Sequence, residues 1–147
     1  MRLSTRGQYG TRALLDIALH YGNSPVPLKD VARRQEISVQ YLEHLVSPLI
    51  KAGILRSTRG AGGGMTLAQS PEHITLSKVI VTLDGSVAPA ECVDNPSICS
   101  RSSACVTRDV WEEVKRAITQ VLESTTLQDL VEQHNKKAQP KATMYHI

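Results

Sequence analysis

Ser38-Val39-Gln40-Tyr41-Leu42-Glu43-His44-Leu45-Val46-Ser47-Pro48-Leu49-Ile50-Lys51-Ala52-Gly53-Ile54-Leu55-Arg56-Ser57-Thr58-Arg59-Gly60-Ala61-Gly62-Gly63-Gly64-Met65-Thr66-Leu67 passes from a helical apolar spacing to two short strand-like runs around a glycine tip. Leu42, Leu45, Val46, Leu49 and Ile50 recur three and four apart, which predicts one buried helix face, and Ser38 is placed to cap that helix. Pro48 lies inside the pattern and is expected to kink the helix, and Ala52-Gly53 to end it. Ile54 to Arg59 then reads as a strand, Gly60 to Gly64 as a flexible tip and Met65 to Leu67 as a returning strand. Read blandly, the glycines are only a turn, or a nest for an anion. The chain has no G-x-x-x-x-G-K-[ST] pattern and no helix opening directly after these glycines, so a nucleotide site is disfavoured.

Upstream, Leu14, Ile17, Ala18 and Tyr21 predict a first helix from about Gln8 to Tyr21, broken by Gly22 to Pro27. Leu28, Val31 and Ala32 mark a short second helix, joined to the third by the turn Gln35 to Ile37, as in a helix-turn-helix. A basic hairpin directly after such a pair is the arrangement of a winged helix. Residues 1–68 hold nine Lys/Arg against four Asp/Glu, a net +5, whereas residues 69–147 hold eight against ten, a net −2. The excess of positive charge falls on the winged-helix part, which makes that part the candidate for a polyanion.

The third helix would enter a DNA major groove, with Ser38, Gln40, Tyr41, Glu43 and His44 near its start. Gln reads adenine and Glu accepts from the cytosine amino group. Arg59, with Gly60 beside it on the wing, suits a narrow, electronegative minor groove, and Arg2, Arg6, Arg33, Lys51 and Arg56 suit phosphates. Singly, each charge reads as an ordinary solvated side chain. Together on one compact element they favour nucleic acid.

Beyond the wing, Leu76, Val79, Ile80 and Leu83 outline a short helix, and Gly85 to Val106 forms a 22-residue segment expected to be a loop. It carries the chain's only cysteines, Cys92, Cys99 and Cys105, in the spacing C-x6-C-x5-C. An odd thiol count without a secretory signal argues against a disulfide scaffold, and this spacing departs from the paired ligands of structural zinc. Thiolate ligation of an iron-sulfur cluster tolerates such spacing; free, redox-active or simply buried thiols are the other readings. Thr107 is expected to cap a long helix whose apolar face is Trp111, Val114, Ile118, Val121 and Leu122, followed by a second segment, Thr126 to Val131. The long helix either packs on its own domain or, as the favoured reading, pairs two chains into a homodimer.

The fold expected is mainly α with a small β wing: a winged helix-turn-helix at 1–84, a cysteine-bearing loop at 85–106, dimerisation helices at 107–132 and a tail at 133–147. No run approaches the roughly eighteen apolar residues of a membrane span, and Met1 to Gly10 lacks a secretory core, so a cytoplasmic protein is expected. An enzyme is weakly supported, since there is no C-x-x-C motif, no nucleophile–base grouping and no cofactor fingerprint. His20, His44, His73, His134 and His146 are scattered and read as surface or structural.

Met1 to Gly10 (MRLSTRGQYG), Tyr41-Leu42-Glu43, Arg59 to Gly64 (RGAGGG) and the three spaced cysteines resemble the bacterial winged-helix transcription regulators of the IscR, NsrR and CymR type, over nearly all of residues 1–132. The resemblance implies a dimer on a palindromic operator, with Gln40, Glu43 and Arg59 at base-reading positions. It also implies an iron-sulfur cluster, 2Fe-2S ahead of 4Fe-4S, held by Cys92, Cys99 and Cys105 and tuning operator binding. Arg108 stands where IscR-like chains carry a fourth ligand, and a guanidinium cannot ligate iron; Gln8 stands where NsrR-type chains carry an acid. The fourth ligand is therefore unassigned, with Glu91, Asp94, Asp109 or an external thiol as choices. Ser124 to Leu130 and the closing Met144-Tyr145-His146-Ile147 are similar to the CymR branch, which implies as the alternative a repressor of sulfur-metabolism genes, controlled by a cysteine-synthesis enzyme, with redox-sensitive thiols.

Overall fold

A computed structural model describes residues 1–139 of the chain. Helix α1 spans Thr5–Ala18, α2 Leu28–Gln35 and α3 Val39–Lys51; strands β1 (Leu55–Thr58) and β2 (Gly64–Leu67) follow, then α4 (Leu76–Asp84), the single-turn α5 (Glu91–Asp94), α6 (Val106–Glu123) and α7 (Leu127–Ala138). The strands pair antiparallel, with Leu55 opposite Leu67 and Thr58 opposite Gly64, and Val26 adds a single bridge to Met65. Mainly helical architecture with a small two-stranded wing is what the apolar spacing predicts.

Local chemistry moves some boundaries. α1 begins three residues before the expected Gln8 because the Ser4 hydroxyl accepts a hydrogen bond from the Gly7 amide and caps the helix there. It ends at Ala18, and Tyr21 stands half exposed, outside the buried stripe. Ile50 is likewise on the surface, while Leu42, Leu45, Val46 and Leu49 are buried. α3 is continuous through Pro48 to Lys51; a proline this close to the last turn removes one amide donor without ending the helix. α6 starts at Val106 with Cys105, not Thr107, at the cap position. The segment after Gly85 is not a plain loop: α5 and two three-residue 3-10 turns, Pro96–Ile98 and Ser102–Ala104, occupy it.

The core gathers Leu14, Val31, Leu42, Leu45, Leu49, Ile54, Ile74, Val79 and Leu127, all with almost no exposure. Leu127 in that set shows that α7 packs back on the amino-terminal helices, against α1 and the 71–73 turn, where the Leu127 amide donates to the Ile74 carbonyl. α7 also runs on to Ala138, past the expected end at Val131, under a Thr126–Asp129 capping box.

α6 behaves differently. Its 18 residues include none that is buried, although its apolar side chains fall on one face. Val110 is 50% exposed, Trp111 36% and Val121 63%. Part of the apolar stripe of this long amphipathic helix thus lies in water, while Val114, Ile118 and Leu122 are half-buried and the helix packs on α4 and α5.

α1 and α4 approach unusually closely. A Cβ on Gly7 would lie 2.7 Å from the Asp84 carboxylate, and one on Gly10 2.2 Å from a Leu83 methyl, so a side chain at either position would have to push Asp84 or Leu83 aside. Asp84 in turn accepts from the Ser4 amide at 3.3 Å and from the Ser4 hydroxyl.

Candidate nucleic-acid interface and thiol segment

Leu42, Leu45, Val46 and Leu49 turn one side of α3 into the core and so leave Gln40, Glu43 and His44 together on the opposite, solvent-facing side. Ser38 caps the helix, its hydroxyl accepting from the Tyr41 amide at 3.2 Å, which leaves its O–H free to donate. The Tyr41 ring is half-buried and lies edge-on to the Tyr9 ring of α1, with centroids 6.0 Å apart and an interplanar angle of 87°. Tyr41 therefore turns toward α1 and away from the Gln40/Glu43 face.

Lys51 ends α3, Arg56 lies on β1 and Arg59 at the wing tip, and all three are exposed. Gly60 holds φ +93°, a left-handed conformation that favours glycine, and Gly64 passes so near Val26 that a Cβ would meet its carbonyl oxygen at 2.4 Å. Arg2 and Arg6 are exposed at the start of α1. Arg33 is also exposed and faces Asp30 at 3.7 Å. The predicted DNA-contacting residues thus lie on α3, the wing and the α1 terminus, with Ser38 and Tyr41 engaged within the protein.

Sequence reading missed a network behind this surface. Asp16, the buried charge of the core, accepts from Arg34 twice, at 2.9 and 2.6 Å, and from the Gln35 side-chain amide at 2.9 Å. Burial pushes its carboxyl pKa up, but the hydrogen bonds from Arg34 and Gln35 and the guanidinium charge outweigh that and hold it below the ordinary carboxylate range. The signal in the sequence was an acidic residue amid the apolar stripe of α1.

The three thiols are free: Cys92 on α5 and Cys105 at the head of α6 are half-buried, and Cys99 is exposed after the first 3-10 turn. Cys105 Sγ lies 3.2 Å from the Thr107 hydroxyl, and that contact, helped by the Arg108 amide, draws the thiol pKa below its ordinary value. Arg108 is largely enclosed; its Nε donates to the Cys92 carbonyl at 2.9 Å and its Nη2 lies 3.6 Å from Glu112. Lys115 donates to Asp94 at 2.7 Å, so α6 grips α5 at two points. Asp94, one choice for a fourth ligand, is committed to that ion pair, and its carboxyl is held low first by Lys115 and then by Ser86. Among the described residues no three His, Cys, Asp or Glu side chains converge on a point suited to a metal ion. The donor set nevertheless has the right chemistry for a thiophilic metal: three free, accessible thiols on one segment.

The sequence profile of Rrf2, described as iron-dependent transcriptional regulator, matches residues 3–133. The chain belongs to the Rrf2 family. This Rrf2 regulator is 47% identical to protein rrf2 of Nitratidesulfovibrio vulgaris over 131 residues, spanning 89% of this chain and 87% of that one. It is 35% identical to the regulator CymR of Bacillus subtilis over 147 residues, the full length of both. Among solved structures, T. potens IscR superposes with a TM-score of 0.82 at 38% identity, covering 99% of this chain and 97% of its own. The Rrf2 chain is accordingly a winged-helix transcription regulator and DNA-binding protein, not an enzyme. No helix among the described residues is long and apolar enough to cross a membrane.

Proposed function

We propose that this Rrf2 regulator is a cytoplasmic homodimer that represses transcription from a palindromic operator, and that an iron-sulfur cluster held by Cys92, Cys99 and Cys105 tunes its grip. Gln40, Glu43 and His44 face the bases from α3. Arg59 and Gly60 enter the minor groove from the wing, and Arg2, Lys51 and Arg56 take phosphates. The uncovered apolar face of α6 is the natural dimer seam, and two-fold pairing of the chains matches a two-fold operator.

One observation carries the sensing part of this reading. All three thiols are free and lie on the single stretch that joins α4, packed on the winged helix, to α6, the partly uncovered helix. Such a cluster, when bound, supplies redox-sensitive iron–thiolate bonds. The chain supplies accessible sulfurs, with Cys105 already predisposed to the thiolate form. Arg108 and Lys115 hold α5 against α6 in the conformation described, and gathering the thiols requires that the 92–105 segment rearrange.

Anaerobic purification followed by iron and sulfide analysis tests this, with Cys99→Ala as the comparison. The wild-type chain is expected to hold both elements and the variant to lose them; a colourless, iron-free wild-type protein after reconstitution refutes the cluster. A second reading is favoured by the full-length match to CymR, whose solved structure is described as that of the global cysteine regulator of B. subtilis. In it a cysteine-synthesis enzyme partners the regulator and the thiols are redox-sensitive. Unchanged operator binding by the triple Cys→Ala chain, together with a response to added enzyme, supports that alternative. The Met144 to Ile147 part of the resemblance lies outside the described residues.

A further inference from the structure

The helix-turn-helix corner contains a conformation that needs support. Glu36, the residue between α2 and the approach to α3, is left-handed at φ 56°, the only non-glycine with positive φ among the described residues. Immediately before it, the Gln35 carbonyl is a helix-end acceptor, and Arg12 of α1 reaches across to it with Nη2 at 2.6 Å. The same guanidinium donates through Nε to the Gln35 side-chain oxygen at 3.3 Å, and the Gln35 amide passes on to buried Asp16 at 2.9 Å. Arg12 thus secures both the main chain and the side chain of Gln35, the residue just before the one on which the corner turns.

Arg12 also lies 5.3 Å above the centre of the Tyr9 ring, a cation–π contact that keeps Tyr9 in place. Tyr9 meets the Tyr41 ring edge-on at 6.0 Å. Tyr41 sits between Gln40 and Glu43 in sequence, on the first turn of α3, so its ring contact, together with the buried Leu42 and Leu45, sets the rotation of that turn about the helix axis. Readout of base edges tolerates displacements of only about 0.5 Å and rotations of about 10–20°.

We infer that Tyr9 and Arg12 are positioning residues for sequence discrimination: they seat the first turn of α3 through Tyr41 and Gln35 and do not themselves touch DNA. This rests on the reading of α3 as the base-contacting helix. Loss of either residue frees the turn and blurs base readout, while phosphate contacts from Arg2, Lys51 and Arg56 persist. Specific and non-specific binding therefore separate.

The test uses the full-length chain and two duplexes: one selected by the wild-type protein from a randomised pool, and a scrambled duplex of equal length and composition. Tyr9→Ala and Arg12→Leu are expected to weaken binding to the selected duplex by about tenfold or more and to the scrambled one by less than about twofold. The slope of log affinity against log salt should stay at its wild-type value. Tyr9→Phe should bind as the wild type, because the ring edge and not the hydroxyl makes the contact; Tyr9→Leu, which keeps bulk, replaces the alanine variant if that chain unfolds. Equal weakening on both duplexes, a salt slope reduced by about one in Arg12→Leu, the mark of a lost phosphate contact, or a Tyr9→Phe chain as poor as Tyr9→Ala overturns the proposal. Gln40→Ala and Glu43→Ala serve as controls on its premise. If neither alters binding to the selected duplex, the reading of α3 fails; if they do and Tyr9→Ala does not, positioning alone fails.

Discussion

Arg34 holds the buried Asp16 carboxylate in a two-point grip, Nε to Oδ2 at 2.9 Å and Nη2 to Oδ1 at 2.6 Å, and so ties α2 to α1. Bidentate guanidinium–carboxylate contacts are among the stronger polar contacts a protein makes, and removing one partner from a buried pair leaves the other uncompensated.

Asp16→Asn is therefore expected to lower stability by about 2 kcal/mol at neutral pH, less than for a fully enclosed pair because Arg34 is partly solvated. The folded-state pKa of Asp16 lies below its ordinary value of 3.8, so its stabilisation is complete above that pH and is lost as acid protonates the folded carboxylate. The gap between wild type and variant should narrow below about pH 4, read from urea midpoints across a pH series. A gap that stays constant down to pH 2 refutes the assignment.

The α1–α4 contact gives an expectation with an internal control. Gly10→Ala gains about 1 kcal/mol of helix propensity but drives a methyl into Leu83, and overpacking of this kind costs about 1–3 kcal/mol, so a net loss is expected. The Gly10→Ala/Leu83→Ala chain should be less destabilised than the sum of the single changes, since the second makes room for the first. Additive values in a denaturation cycle contradict close packing at this point.

On DNA, two residues should fail in different ways. Gln40→Ala is expected to cost about 1–3 kcal/mol on the selected duplex and to relax preference at one base position. Arg56→Ala should weaken every duplex alike and reduce the salt slope by about 0.9. Binding titrations at several salt concentrations separate the two, and an Arg56→Ala chain with selective loss on one sequence removes it from the phosphate set.

The exposed stripe of α6 predicts association. Val110→Glu with Val121→Glu places two carboxylates on the apolar face and should shift a dimer to monomer in sedimentation equilibrium, with α6 losing helicity. A wild-type chain that sediments as a monomer at tens of micromolar ends this reading.

Much of the reader was legible because its residues obey one period at a time. Leu42, Leu45, Val46 and Leu49 report a helix face and Ser38 marks its start, with Pro48 near the far end as the one competing signal. The glycine tip and its flanking runs report the wing equally well. What stayed hidden depends on contacts between distant residues. Ser4 starts α1 early through its own cap and Asp84, and Tyr41 meets the Tyr9 ring of α1, a residue 32 positions away, at 6.0 Å. In the thiol segment, short turns held by Arg108 and Lys115 replace the expected loop, because both partners lie 16 or more positions away along the chain. Spacing reveals that three thiols share a segment; it carries no information on whether they face one another.

Gly7 and Gly10 have a mechanical consequence. At Gly7 and Gly10, α1 contributes no side chain to its contact with α4, so Leu83 and Asp84 pack close to its backbone, and close-packed interiors transmit displacement instead of absorbing it. On the proposed reading of α3, the base-contacting face and the point where the cysteine segment departs at Gly85 are linked through this close contact. For the proposed dimer, a change in that segment would reach DNA as a swing of the entire winged-helix unit, altering the distance between two such units on an operator while leaving the shape of each unchanged.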